Sequence, residues 1–595
     1  MGTIADKLTY LAGTKAAIKQ AIIDKGVEVS ELDNFRIYAE KIGDITSGGG
    51  STPEEWSEAE QIALYNSITA DFPDITSIVE NDADNTTPMK CIWLLKANSP
   101  TFDYIKGTGV VKVLLSDGTV YTDSFTEHVW GTNTDATITN YRWVIIYVSS
   151  KSFQTDTRII SATYNSAFLS GLTSFNSMFY ECRSLLTIPL INTTNVTSFN
   201  NTFSGCSSLK TIPLINTANV TNFSQMFYYC YSLQTIPLLN TVKGTDFSNI
   251  FNGCSSLKTI PQLNTALGTG FGSMFSGCSS LQTIPLLDTA KGTSFGSMFK
   301  YCYSLQTIPQ LDTAKGAYFR EMFSGCYSLQ TIPLLNTALG TDMSFIEMFS
   351  GCYSLQTIPQ LDTAKGAYFN SMFNGCYSLQ TIPQLNTALG TGFAYMFYNC
   401  YSLITIPLLD TAKGTDFNNM FNGCRSLQNI PQLDTALGTN FGGMFNSCSS
   451  LQTIPLLDTA LGTSFGSMFN SCSSLQTIPL LNTAKGTNFS SMFFYCSSLQ
   501  TIPLLDTTLG TSFGSMFYDC KSLQTINTSL TTWNIKESVS FSSSKFLSKA
   551  SILGIFNNLV AGAKTITITS ATNAKLSVAD KAIATDKGWT ISISG

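Results

Sequence analysis

The chain has 595 residues, with 33 basic and 39 acidic side chains, 12% charged and 43% hydrophobic. That length suits about three to five ordinary domains; the charge balance gives no basic patch for nucleic acid, and no run of about 18 apolar residues could cross a membrane as a helix. The start, Met1-Gly-Thr-Ile-Ala-Asp-Lys7, lacks a secretory pattern, and Asp6 breaks the myristoylation pattern, so the product is expected to begin in the cytoplasm that makes it.

Residues 1–46 read as a small helical module. Ile4, Leu8 and Leu11 mark one face. Thr14 caps a second helix with Ala17, Ile18 and Ile22, stopped by Gly26; Asp33 or Asn34 caps a third with Phe35, Tyr38 and Ile42. Residues 47–53, Ser47-Gly-Gly-Gly-Ser-Thr-Pro53, form a flexible linker. Three short helices before a tether suit a docking element. The segment Thr14-Lys-Ala-Ala-Ile-Lys-Gln-Ala-Ile-Ile-Asp-Lys-Gly26, with Phe35 to Ile42, is similar to modules that open tail-fibre and appendage proteins of tailed bacteriophages.

Residues 54–171 are expected to form a mainly β domain that also covers the first coil of the neighbouring repeat region. Ile92–Leu95, Val110–Leu115, Val120-Tyr121 and Arg142–Tyr147 have strand composition, and Asp117-Gly118 is a hairpin signal.

From 172 to 526 one unit recurs. Cys182, Cys206, Cys230, Cys254, Cys278, Cys302 and Cys326 are 24 apart; after one 26-residue step, Cys352 to Cys520 resume the 24-residue period. Fifteen of sixteen cysteines obey this rhythm, and Cys91 does not. The two extra residues precede Phe345, around Asp342-Met343-Ser344, and should bulge outward without shifting later register. Such a period suits a solenoid whose coils bury apolar rows only against neighbours. In one coil the expected core is Phe295, Met298, Phe299, Cys302, Leu305, Ile308, Leu311 and Ala314. Leu-x-Thr-Ile reads as a short strand ended by Pro, and Ala-x-Gly as a turn. Phe-x-x-Met-Phe-x-x-Cys has the i, i+3, i+4, i+7 spacing of a helical or 3₁₀ turn. Fifteen coils at about 4.8 Å each predict a rod roughly 70 Å long.

The segments Thr194-Asn-Val-Thr-Ser-Phe-Asn-Asn-Thr-Phe-Ser-Gly-Cys-Ser-Ser-Leu209 and Ala218-Asn-Val-Thr-Asn-Phe-Ser-Gln-Met-Phe227 resemble BspA-type leucine-rich repeats, with their Asn-Val-Thr stretch and Met-Phe-x-x-Cys-x-x-Leu. The resemblance implies a leucine-rich-repeat solenoid and an adhesin that presents its repeat surface to a host or partner cell. Residues 527–595 leave the repeat and read as an α/β cap: a helix with Ile552, Leu553, Phe556 and Leu559, a strand Thr565–Thr569, a Ser577/Asp580 capping box, Gly588 as a stop and a last strand Trp589–Ile593.

The chemistry points away from catalysis. His128, the single histidine, has no motif around it and reads as structural. No nucleophile elbow, phosphate loop or paired-histidine metal motif is present, so neither cofactor nor metal is expected. Asp288, Asp312, Asp362, Asp410, Asp434, Asp458 and Asp506 share a row with Asn and read as Asx turns. The cysteine row brings thiols within disulfide reach, yet parallel side chains point alike, so free buried thiols are expected.

Binding is sought where rows vary. Tyr303, Tyr327, Tyr353, Tyr377 and Tyr401 follow the cysteine in five consecutive coils; Tyr231, Arg183, Arg425 and Lys521 occupy that row elsewhere. A tyrosine strip suits a glycan or protein surface; shared ancestry of recently duplicated coils explains it somewhat more readily. Gln282, Gln306, Gln330, Gln356 and Gln380 read as an internal hydrogen-bonding ladder. The expectation is a non-enzymatic bacteriophage virion appendage. Residues 1–46 would join other tail or capsid proteins, and the repeat array would meet a host surface protein or glycan. The alternatives are a bacterial cell-surface adhesin and, more remotely, a glycan depolymerase with its site in 54–165. Oligomerisation stays open, since no heptads are visible.

Overall fold

A computed structural model describes residues 173–595, apart from 189–190, 342 and 529–532, and the backbone of five strands between 89 and 164. The helical module, the linker and His128 lie outside the described residues. The chain divides into two compact units, residues 1–270 with 274–288, and 271–273 with 289–595.

In the first unit, β1 (Met89–Leu95), β2 (Lys106–Leu115), β3 (Val120–Tyr121), β4 (Trp143–Gln154) and β5 (Ile159–Tyr164) form an antiparallel sheet of order β3-β2-β4-β1-β5. Leu114 pairs with Val120 and Val113 with Tyr121, the register expected of strands joined through Asp117-Gly118. Strand β5 was not expected from its composition. It pairs with β1, placing Cys91 opposite Tyr164.

Both units contain 24-residue coils, and their backbone corrects the expected helical turn. Four N–H groups of one coil, on Phe295, Ser297, Phe299 and Tyr301, donate to carbonyls of the following coil at 2.7–2.9 Å. The alternate N–H groups of Met298, Lys300 and Cys302 instead bond three residues back, each at 3.1 Å. Left-handed residues at Ser297 (φ 54°) and Tyr301 (φ 60°) permit this alternation. The side chains of Phe295, Met298, Phe299 and Cys302 are thereby turned inward with helix-like spacing although the backbone is a succession of tight turns. Inter-coil bonding of this kind also satisfies the donors that a buried wall would otherwise orphan.

The strand assignment moves as well. Parallel bridges run along the row before the first Phe, Ser174↔Ser198↔Asn222↔Asp246↔Gly270 in the first unit and Tyr368↔Gly392↔Asp416↔Asn440↔Ser464↔Asn488↔Ser512 in the second. Among the described residues, Leu-x-Thr-Ile forms paired strands only at β6 (Thr501–Ile502) and β7 (Thr525–Ile526). Elsewhere its contribution is narrower, such as the Gln356 N–H donating to the Gln330 carbonyl at 3.1 Å.

Inside the coils, identical side chains stack on identical side chains. Phe295 and Phe319 lie 5.8 Å apart at 6°, and Phe299 and Phe323 5.7 Å apart at 7°. Removing one such ring costs about 3–5 kcal/mol, because the rows above and below cannot close the gap. One member of the expected core is displaced, Ala314, which is exposed; Ile308 is half-buried, while its counterparts Ile284, Ile332 and Ile358 are buried. Thr313 is buried instead of Ala314, its hydroxyl donating to the Asn336 carbonyl at 2.9 Å. The same bond recurs at Thr363, Thr387, Thr411, Thr435, Thr459 and Thr483, at 2.6–2.8 Å.

The insertion is absorbed locally. Met343 is exposed, while Ser344 turns inward, accepting from the Thr341 N–H and donating to the Ala317 carbonyl at 2.9 Å. Phe345 then stacks on Phe369 at 5.7 Å, so register resumes.

The C-terminal cap extends the ladders and then ends them. Its elements are β8 (Val539–Phe541), α1 (Lys549–Asn557), β9 (Thr565–Thr569), α2 (Ser570–Asn573), α3 (Val578–Thr585) and β10 (Thr590–Ser594), with a parallel sheet β10-β9-β8. Ser577 and Asp580 form the expected capping box. Ile552 and Phe556 are buried as expected, but Ile555 takes the place of Leu553, which is half-buried. Phe541 stacks on Phe517 at 4.8 Å. The Phe513 N–H, which has no further coil to meet, donates to the Glu537 carboxylate at 2.9 Å.

Candidate binding surface

The chemically versatile side chains of the coils are spent on internal bonds. The fifteen repeat cysteines are free and buried. Each thiol of Cys326, Cys352, Cys376, Cys400 and Cys424 donates to a Phe carbonyl in the preceding coil at 3.1–3.2 Å. Burial pushes these thiols well above their ordinary range, to about 12 at Cys352, so they are poor nucleophiles. The Asp row forms Asx turns: Asp312, Asp362, Asp410, Asp434 and Asp458 each accept from the N–H two residues on, at 3.0–3.1 Å. Among the described residues no group of His, Cys, Asp and Glu is placed to hold a metal.

The tyrosine strip is one continuous stack. Ring centroids from Tyr303 through Tyr327, Tyr353 and Tyr377 to Tyr401 are separated by 4.5, 4.3, 4.5 and 4.7 Å, with planes within 19°. The Arg425 guanidinium closes one end, 4.5 Å from the Tyr401 ring; Tyr301 stands tilted at the other, 6.0 Å from Tyr303. Ring faces are therefore turned to one another, and the strip presents ring edges and a row of hydroxyls. Tyr303 is exposed and the other four are half-buried. Burial, with neighbouring phenols, pushes Tyr303 and Tyr327 above the usual tyrosine range. In the first unit Tyr231 stacks on Tyr229 instead, and Arg183 pairs with Glu181.

A second surface was not anticipated. The Gln row read as an internal ladder is exposed at Gln282, Gln306, Gln330, Gln356 and Gln380. The glutamines whose side chains bond between coils lie after the proline. Gln310 Nε2 donates to the Leu311 and Leu334 carbonyls at 3.0 and 2.7 Å, and Gln360 and Gln384 repeat the arrangement. Where this row carries leucine it is strongly exposed, 61% at Leu408 and 64% at Leu456. The row borders a groove of about 940 Å³ in the second unit, from Gln360 to Asp434. The signal lay in the sequence as a post-proline position alternating between Gln and Leu.

Six segments, residues 150–261, 234–336, 319–432, 343–458, 404–503 and 439–554, match a family model described as "Mycoplasma protein of unknown function, DUF285". No curated protein matches. Among solved structures the chain is similar to a leucine-rich repeat protein from Eubacterium ventriosum, at 17% identity over 63% of this chain and 87% of that one, with a TM-score of 0.28. It is similar also to the T. pallidum leucine-rich repeat protein TpLRR, at 19% identity over 36% and 76% of the two chains, TM-score 0.16. A third is the plant peptide hormone receptor RGFR1, solved in complex with RGF2, at 12% identity over 72% and 80%, TM-score 0.17.

Proposed function

The chain belongs to the DUF285 family, whose matches together span residues 150–554, and from that premise we propose that it is a non-enzymatic adhesion protein. Its repeat surface meets a protein or glycan on a host cell. The observation that carries this reading is the division of labour within the coils: thiols, threonines and Asx side chains are committed to inter-coil and turn bonds, while the outward rows vary. Such a surface offers area and sequence-tunable contacts without converging catalytic groups. Tyr303, Tyr327, Tyr353, Tyr377 and Tyr401 are the proposed contact residues, through hydroxyls and ring edges suited to a polar partner.

The proposed carrier is a bacteriophage virion, joined through residues 1–46; the similarity of Thr14–Gly26 and Phe35–Ile42 to appendage modules supports it. The bacterial genus in the family's description favours a second reading, a cell-surface adhesin. Antibody raised against the repeats decides between them: gold label on purified virions supports the first, and label confined to bacterial cells the second. Labelled protein should bind host cells saturably and block virion attachment. Failure to bind any cell, or release of sugar ends from host polysaccharide, would overturn adhesion without catalysis.

A further inference from the structure

The groove in the second unit has a consistent chemistry. One wall is the post-proline row, Gln360, Gln384, Leu408 and Gln432; the other is the Asx row, with Asp362, Asp410 and Asp434. Leu361, Leu385 and Leu409 are buried between them. The wall glutamines direct their N–H donors into backbone carbonyls at 2.6–3.1 Å. Each wall aspartate accepts its own turn's N–H at Oδ1 and is exposed. No Lys, Arg or His lines the groove; Lys365 and Lys413 lie three residues past the Asx row, outside the lining. A further 510 Å³ stretch repeats the pattern between Leu456 and Asp506 with two more aspartates and no cation.

We propose that this groove docks an extended basic polypeptide. Its apolar side chains lie against the exposed Leu408, while Lys or Arg side chains and backbone N–H groups meet Asp362, Asp410 and Asp434. The complementarity is one-sided: a lining rich in acceptors and carboxylates selects a donor-rich cation and repels phosphates and acidic chains. No aromatic face lines the groove for a sugar ring to stack on. At coil spacings of about 4.8 Å, a chain rising about 3.3 Å per residue passes one coil every one and a half residues, so residues three apart meet carboxylates two coils apart, such as Asp362 and Asp410.

The test uses the full chain and fluorescence anisotropy with a labelled peptide alternating Lys with Leu and Ser, beside its Glu-for-Lys counterpart. The variant Asp362→Asn/Asp410→Asn/Asp434→Asn removes charge and keeps the turn, because Asn336, Asn386 and Asn482 already make the same bond at 3.1–3.2 Å. Asp246→Asn/Asp416→Asn/Asp519→Asn is the charge-matched control outside the groove. The basic peptide should bind the natural chain and the control alike, and the groove variant at least tenfold more weakly at unchanged melting temperature. Leu408→Gln, a residue this row already carries, should weaken binding a few-fold and guards against a folding artefact. The proposal falls if the basic peptide does not bind, if the control loses as much as the groove variant, or if the acidic peptide binds equally well.

Discussion

Alkali should dismantle the coils through their cysteines. Cys352 and Cys448 are fully buried, and burial pushes each thiol from an ordinary value of 9.0 up to about 12. Burial likewise raises Cys376, Cys424 and Cys472, with neighbouring thiols adding to it. In the unfolded chain these thiols ionise near their ordinary value, so the unfolded state releases protons first as pH rises. Stability is therefore full below about pH 9, falls above it, and stops falling only when the native thiols ionise, near 12 for Cys352 and Cys448. At pH 10 Cys352 and Cys448 each contribute a loss of about 1.4 kcal/mol, about 3 together, and the raised thiols of Cys376, Cys424 and Cys472 add to it in the same direction. The assay is the guanidinium midpoint by circular dichroism between pH 7.5 and 10.5, under reductant and without oxygen. Serine at 376, 424 and 472 retains a donor for the Phe349, Phe397 and Phe445 carbonyls that these thiols now meet. That variant should be weaker at neutral pH yet decline less steeply in alkali. A midpoint constant from pH 8 to 10, or an equal decline in the serine variant, would refute the reasoning.

Thr387→Val keeps shape and removes the hydroxyl that reaches the Asp410 carbonyl at 2.7 Å; a loss of about 1–3 kcal/mol in chemical denaturation is expected, whereas neutrality would make the row mere packing. Gly325→Ala places a Cβ 2.6 Å from Tyr301 Cδ1 at φ +76°, so melting should fall by the equivalent of about 1–3 kcal/mol; Tyr301→Ser should restore part of it, and no restoration would locate the strain elsewhere. Replacing Tyr303, Tyr327, Tyr353, Tyr377 and Tyr401 with Ser should weaken host-cell attachment by about seventyfold or more if each contributes about 0.5–1.5 kcal/mol. Melting and attachment are read on the same sample, and loss of melting alone would assign the strip to packing.

What the sequence discloses about this fold depends on how each row is satisfied. The rows of Phe295, Met298, Phe299, Cys302 and Leu305 were legible as core because apolar identity repeated at a fixed period has no solution except stacking. The same spacing misled on backbone conformation. Left-handed residues at Ser297 and Tyr301 produce an i, i+3, i+4, i+7 pattern without a helix, and a polar residue at such a position carries little signal. The glycines at 325, 351 and 375, all at positive φ in the row of Tyr301, were the clue to a turn there. Polar rows failed for a related reason. Thr313 looks like turn filler until the next coil's carbonyl is placed beside it, and Gln306 and Gln310 are indistinguishable until only the second side chain is seen to reach the next coil. Constancy along a polar row is therefore no guide by itself: the threonines at 363, 387 and 411 bond between coils, whereas the equally constant glutamine side chains at 306, 330 and 356 stay exposed. Where Leu408 interrupts the post-proline glutamines, the coil gives up one side-chain bond and keeps its buried rows. The post-proline row and the tyrosine row are thus places where this chain can change its surface without changing its fold.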